Sequence, residues 1–425
     1  MEITNYVSES DAPTSLTLHY RASLRTSMRS RISQSSILWR QVWGLAALLA
    51  AIIFSWMAYG FYQPRILEKQ GFTGIASSLG ILQGLLGALV EPYFGIVSDR
   101  VMRRVGSRLP MIAVGVTLAG IIFVVVSLLL EGELPSGLRW LIPVLMTIWV
   151  MAMIVFRGPV IALLMQFAPS AELPQANVIL VLIFGLVGAV GPLLGNLIQH
   201  LGASLTFMLG AVVLIVGALL FWSAKPQYTH PIEEIYQQLP TFLRSLLIFG
   251  VGLGAGLEVN LLLRPFPVLL HNILPSIGTE YITSGMLLVS GLSGLFLERL
   301  ILRLGVKKAM KMSLGAIAIL MGLTLLTRNS GLAVGLVLAF GVAFGLLFTS
   351  QIPFALTVVP PMWAGLGTGL YFGGMGAATA LISLLQQYNE ITPIIGFLGG
   401  AIAFLIATSC LSAIRFSSNT RLPSA

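Results

Sequence analysis

Two carboxylates and two guanidinium groups stand inside otherwise apolar runs of this sequence: Glu91, Arg157, Glu258 and Arg264. A charge at a bilayer centre costs on the order of 2.5–3.5 kcal/mol by insertion scales, so it persists only with a partner, a water-filled cavity or a task. A buried carboxylate can take up and release a proton, which makes Glu91 and Glu258 the proton-coupling candidates; for Glu91 a structural ion pair is the alternative. Gly80, Gly84, Gly87 and Gly95 share the helical stripe of Glu91 at spacings of 3 and 4, which turns it toward close helix packing rather than lipid. Arg157, two residues before Pro159, cannot discharge. It must donate to a solute hydroxyl or carboxylate, or hold a carboxylate such as Glu91. Asn260 and Arg264 share a face with Gly256, whereas Glu258 and Arg264, six residues apart, do not pair on one face. Arg264 stands before Pro265 and Pro267, where it lines the cavity or snorkels outward. Arg157, Asn260, Arg264, Gln351 and Tyr59 are the substrate-cavity candidates.

Other chemistry is thin. Trp56, Tyr59, Phe61 and Tyr62 close an apolar run, as a stacking platform for a sugar or, the favoured reading, as an interfacial aromatic belt. His19, His200, His230 and His271 have no metal-ligand spacing, and the single cysteine, Cys410, excludes an internal disulfide. There is no phosphate-cradling G-x-x-x-x-G-K-[ST] sequence. The glycines Gly365, Gly367, Gly373, Gly374 and Gly376 lie in an apolar run, where they permit tight helix contact. No cofactor, no metal, no nucleic-acid partner and no enzymatic activity is expected.

The elements that position these residues follow from composition. Of 425 residues 56% are hydrophobic and 9% charged, with a mean hydropathy of +0.93. That excludes a water-soluble domain, which carries about 25% charged residues, and a disordered chain. Continuous apolar runs rather than alternating strands exclude a membrane barrel. The runs predict twelve transmembrane helices at 41–62, 74–97, 109–130, 138–167, 176–198, 204–223, 242–270, 277–297, 309–327, 331–359, 365–387 and 392–414. Residues 1–40 read as a mostly disordered arm with nine serines and four arginines before residue 37, and a surface helix near 16–36. Residues 41–223 and 242–414 form two six-helix halves, 224–241 is a linker, and 415–425 is a tail.

Charge orients this arrangement. With the N-terminus in the cytoplasm, 18 of the 24 Lys and Arg fall on the cytoplasmic side, four on the other, and Arg157 and Arg264 within spans. Both termini are then cytoplasmic. An internal repeat supports the division into halves. Residues 95–108 (GIVSDRVMRRVGSR) and 294–307 (GLFLERLILRLGVK) are identical at four of 14 positions: Gly95/Gly294, Arg100/Arg299, Arg104/Arg303 and Gly106/Gly305. Asp99/Glu298 and Arg108/Lys307 are chemically similar.

The stretch Gly95, Asp99-Arg100, Arg104-Val-Gly106-Ser-Arg108 resembles the signature between helices 2 and 3 of the major facilitator superfamily, and its second copy strengthens the likeness. Pro92, Ser98-Asp99-Arg100, Gly106-Ser-Arg108-Leu-Pro110 and Arg157-Gly-Pro159 with Ala162-Leu-Leu164 are most similar to the glycoside–cation and sucrose–proton symporters. The chain departs from that group at Glu91, Gln166 and Leu109. The resemblance implies a gate: Asp99 meeting the N-terminal end of the next helix and nearby arginines, with Gly95, Arg100, Arg104, Gly106, Arg108, Glu298, Arg299 and Arg303 as its other members.

The reading is an all-α membrane protein with twelve transmembrane helices in two pseudo-symmetric halves. It is a monomer in the plasma (inner) membrane, moving a small sugar-like solute by alternating access with a proton or sodium as coupling ion. The partial motif Gly191-Pro192-Leu-Leu-Gly195 leaves open a proton-antiport exporter of amphipathic compounds. A non-transporting membrane factor bound to pigment–protein complexes is the third reading.

Overall fold

The computed structural model describes residues 37–132, 135–227, 239–388 and 390–414. The expected arm (but for its last four residues), most of the linker, the tail, and with them His19, His230, Arg21, Arg25, Arg29, Arg31, Arg415 and Arg421, lie outside the described residues. Twelve described helices are long and apolar enough to cross a membrane. They are α1 Trp39–Lys69, α2 Thr73–Val105, α3 Leu109–Glu131, α4 Leu141–Phe167, α5 Leu173–Leu193 and α6 Ala203–Ser223. Then come α7 Phe242–Ile273, α8 Thr279–Leu304, α9 Val306–Leu326, α10 Ser330–Thr357, α11 Pro361–Tyr388 and α12 Pro393–Ala413.

The helices end where backbone chemistry ends them. Gly106 stops α2 with φ 74°, and Gly305 separates α8 from α9 with φ 81°. These are equivalent positions of the internal repeat, and a Cβ there would be strained. α4 breaks at Leu163, just past Pro159, and α7 breaks at Arg264, before Pro265. α5 stops at Leu193 rather than at 198. Pro192 lies in its last turn, and a separate short helix, Gly195–Leu201, follows.

Packing repeats after six helices. α1 packs on α6, α3 on α6, α3 on α4 and α2 on α4; α7 packs on α12, α9 on α12, α9 on α10 and α8 on α10. Two seams join α1–α6 to α7–α12, α2 against α11 and α5 against α8, and these too exchange under the same shift. The repeated glycines make close approach possible at each. A Cβ on Gly95 would strike the carbonyl oxygen of Gly365, and one on Gly294 would lie 3.2 Å from Val181 Cγ1 of α5. The outward faces of α3, α6, α9 and α12 expose large apolar side chains such as Ile121, Leu219, Ile319 and Leu405. Lipid is the solvent that such faces suit. Two apolar grooves on these faces, of about 570 Å³ between α9 and α12 and about 420 Å³ between α3 and α6, contain none of the charged candidates.

Candidate functional site

Asp99 lies on α2, not in a loop, because the helix runs on to Val105. Its Oδ1 accepts from the Arg108 guanidinium at 2.7 Å and from the Gly365 N–H at 2.9 Å, and its Oδ2 from the Leu366 N–H at 2.8 Å. Asp99 and Arg108 are both fully buried. Gly365 and Leu366 lie in the first helical turn of Ala364–Tyr388, where backbone N–H groups lack intrahelical acceptors and the helix end is positive. The expectation that Asp99 meets the next helix is therefore corrected: the helix end it caps is that of α11, in the other six-helix set. Arg103 donates to the Asp99 carbonyl at 3.3 Å and lies over the Trp363 ring at 4.3 Å. Arg100 and Arg104 are exposed, and Gly106 is the turn that lets Arg108 double back on Asp99.

The second copy is built differently. Glu298 is partly exposed, Arg299 and Arg303 are exposed, and Glu298 has no hydrogen bond or ion pair among the described residues. The reason is register. Gly294 lies against Val181, eight residues past the α5 start at Leu173, whereas Gly95 lies against Gly365 at the start of Ala364–Tyr388. Glu298, one turn past Gly294, therefore does not stand at the free N–H groups of a helix start. Asn177, one turn into α5, carries the polar contact instead, its Nδ2 donating to the carbonyls of Phe348 at 3.1 Å and Thr349 at 3.0 Å on α10. Asn177 escaped the sequence reading. A lone amide at the start of the apolar run 176–198 was the available signal.

Glu91 and Arg157 meet as an ion pair between α2 and α4, Arg157 donating to Glu91 Oε1. The glycine stripe turns Glu91 toward α11: Gly87 faces Gly376, and a Cβ on Gly369 would lie 2.5 Å from the Glu91 carbonyl oxygen. Arg157 also lies 5.3 Å from the centre of the Phe372 ring on α11. The pair thus borders both six-helix sets.

Glu258 is fully buried, and neither carboxylate oxygen has a hydrogen-bond partner among the described residues. One turn before it, Gly254 packs on Ala403 and Ala407 of α12. The accessible stripe of α7 is instead Leu253, Leu257, Asn260 and Arg264. Glu258 therefore faces the α12 side of the bundle rather than that stripe. Asn260 donates to Gly256 O of its own helix at 2.8 Å. Arg264, exposed at the α7 break, donates to Gln386 of α11. Gln351, buried in α10, accepts from the Tyr371 hydroxyl at 3.2 Å.

The aromatic belt is a second correction. Tyr59 and Tyr62 are buried. Tyr59 stacks on Trp149 at 4.6 Å, accepts from Gln83 and packs edge-on against Trp56. The reason is that α1 runs to Lys69, so these rings sit within the helix and not at its end. Among the described residues no three His, Cys, Asp or Glu are grouped to hold a metal.

Residues 140–384 match the family model described as the Major Facilitator Superfamily. The chain belongs to the major facilitator superfamily. The signature stretch 95–108 lies outside the matched region, so it is an independent mark of the same fold. As a superfamily member it is an integral, multi-pass membrane transport protein. Its fold is similar to that of the human organic anion transporter MFSD10 (TETRAN), with a TM-score of 0.67, 14% identity, and 89% of this chain and 100% of that chain covered. It is also similar to a bacterial homologue of the iron transporter ferroportin in its outward-facing state, with a TM-score of 0.66, 16% identity, and 89% and 100% covered. No curated protein matches the sequence. These likenesses reach the superfamily and its fold; they do not reach the glycoside–cation or sucrose–proton symporter group.

Proposed function

We propose that this superfamily member is a secondary active transporter that moves a small polar, sugar-like solute by alternating access, driven by a proton or another cation. The observation that carries the reading is the Asp99 contact with the α11 helix end. It is a charged hydrogen-bond cluster between the two six-helix sets, made of groups that water can satisfy equally well when the seam opens. The positive-inside count supports a cytoplasmic position for this Arg-rich end and both termini. The present conformation is then closed toward the cytoplasm. The coupling part rests on Glu91 and Glu258, two carboxylates shielded from water. The sugar-like part rests on the residues of helices 2–4 that resemble the symporters. The protein acts as a monomer in the plasma (inner) membrane, with no nucleic-acid partner.

The test is uptake into proteoliposomes under an imposed proton or sodium gradient, with counterflow measured in parallel. Uptake that accelerates under one gradient is expected. Uptake indifferent to both would remove the coupling, and absence of both uptake and counterflow would favour a non-transporting membrane factor.

A further inference from the structure

We propose that Arg157 and Glu91 form an anion site in which a solute carboxylate and one proton together replace the internal ion pair, so that the solute is an organic acid carried as its anion. The inference rests on the transport reading above and names the solute class for it: the sugar-like body would bear a carboxylate, as in a sugar acid or hydroxy acid.

The ion pair is one-sided. A guanidinium offers five N–H donors in a fork that suits both oxygens of a carboxylate. Here the contact runs from one Arg157 nitrogen to Glu91 Oε1. Glu91 Oε2 and Arg157 Nε have no hydrogen-bond partner among the described residues. Within the pair the cation is the more accessible partner: the Arg157 side chain is 28% exposed and that of Glu91 5%. A ligand arriving here meets the cation first. The ring of Phe372, 5.3 Å away on α11, flanks the guanidinium from the other six-helix set. An occupant would therefore touch both sets, as alternating access requires of a transported solute.

Charge balance sets the stoichiometry. Among the described residues no other charged group faces the pair; α3, packed on α4, has Glu131 at its far end and no other charge within it. Among the described residues α11 has no Asp, Glu, Lys or Arg, and α4 has only Arg157. The charges of α1 lie toward its ends, at Arg40, Arg65, Glu68 and Lys69, and its Tyr59 is bonded to Gln83, two turns from Glu91. On α2 the next acid, Asp99, is held by Arg108 and the α11 N–H groups, about 12 Å along the helix. A solute anion alone would add an uncompensated negative charge, and a proton alone would strip Arg157 of its counter-ion. Both arriving together leave the site neutral: the solute carboxylate accepts from Arg157, and the proton converts Glu91 to an acid able to donate to the same carboxylate. Transport of a monocarboxylate is then electroneutral.

The full chain, purified in detergent, is titrated with lactate against lactamide and with glucuronate against glucose, and binding is followed by thermal shift across pH. We expect at least one carboxylate to bind in preference to its neutral partner, with affinity falling about tenfold per pH unit once Glu91 is ionised. E91Q should keep that binding and lose its pH dependence. R157Q should lose the carboxylate preference, and so should E91Q/R157Q, which leaves no unpaired charge and so controls for folding. Equal binding of carboxylate and neutral partner, no carboxylate binding across the panel, or a pH slope that survives in E91Q would each overturn the proposal. Carboxylate binding without gradient-driven uptake would instead leave this site standing and remove the coupled-transport reading. Gradient-driven uptake of glucose alone would do the reverse.

Discussion

The carboxylate of Asp99 accepts the backbone N–H of Gly365 at 2.9 Å, a hydrogen bond that spans 266 residues of chain. Arg108 completes the cluster from the start of α3. A buried pair broken from one side leaves an uncompensated charge and costs about 3–5 kcal/mol, whereas removing both partners costs less. D99A and R108A are each expected to lower the thermal midpoint strongly, and D99A/R108A by clearly less than the sum. D99A additionally strips acceptors from two N–H groups of α11, so it should remain the worse of the two. Additive losses in a double-mutant cycle would show that the pair is not coupled.

The two copies of the repeat are predicted to be unequal. Asp99 caps a helix; Glu298, its counterpart, follows a glycine that packs on Val181, well inside α5, and has no partner among the described residues. E298Q should change stability by less than about 0.5 kcal/mol, as exposed substitutions do. N177A removes two hydrogen bonds to α10 carbonyls and should cost about 1–3 kcal/mol. An E298Q loss as large as that of D99A would contradict this account.

How much of this was legible in the sequence depends on what each residue's signal measures. All twelve spans were readable from hydropathy, because lipid demands continuous apolar runs and the chain obeys. Hydropathy measures polarity and not helicity, so the reading ended helix 2 at 97 while the helix runs on through Asp99 and Arg104 to Val105. The same error at helix 1 moved Tyr59 from core to rim, since the helix passes through Pro64 to Lys69. The Glu91–Arg157 partnership was foreseeable because a charge in an apolar run needs an opposite charge. The Asp99 partner was not, because its acceptor interactions are with backbone N–H groups, and a backbone has no sequence signature beyond the small residue, Gly365, that lets the carboxylate approach.

Glycine substitutions should separate the seam from the α3–α6 groove, which Gly120 lines, by sign. A Cβ on Gly95 would strike the Gly365 carbonyl, and one on Gly84 would meet Ala380 backbone atoms at 2.5 and 2.8 Å. A Cβ on Gly120 meets nothing within 4 Å. G95A and G84A should therefore cost about 1–3 kcal/mol by overpacking and destabilise the closed seam. G120A should be stabilising by about 0.5–1 kcal/mol, the helical advantage of alanine. Thermal melts of the three variants in one detergent decide this; a destabilising G120A would contradict the open space at that site.

Glu258 offers the sharpest contrast between stability and function. It is fully buried among the described residues with neither oxygen satisfied, beside apolar α12. An unsatisfied polar group in such a place is costly, and an apolar side chain of similar size removes that cost. E258L is expected to match or exceed the thermal midpoint of the parent. A buried carboxylate that costs stability is a candidate for a task, and here the candidate task is proton coupling. E258Q should then depress gradient-driven uptake by tenfold or more, about 1.4 kcal/mol, while counterflow, which needs no net proton movement, stays near the parent rate. Equal losses of uptake and counterflow in E258Q, or a lowered midpoint in E258L, would assign Glu258 a structural role and leave Glu91 as the one coupling carboxylate proposed.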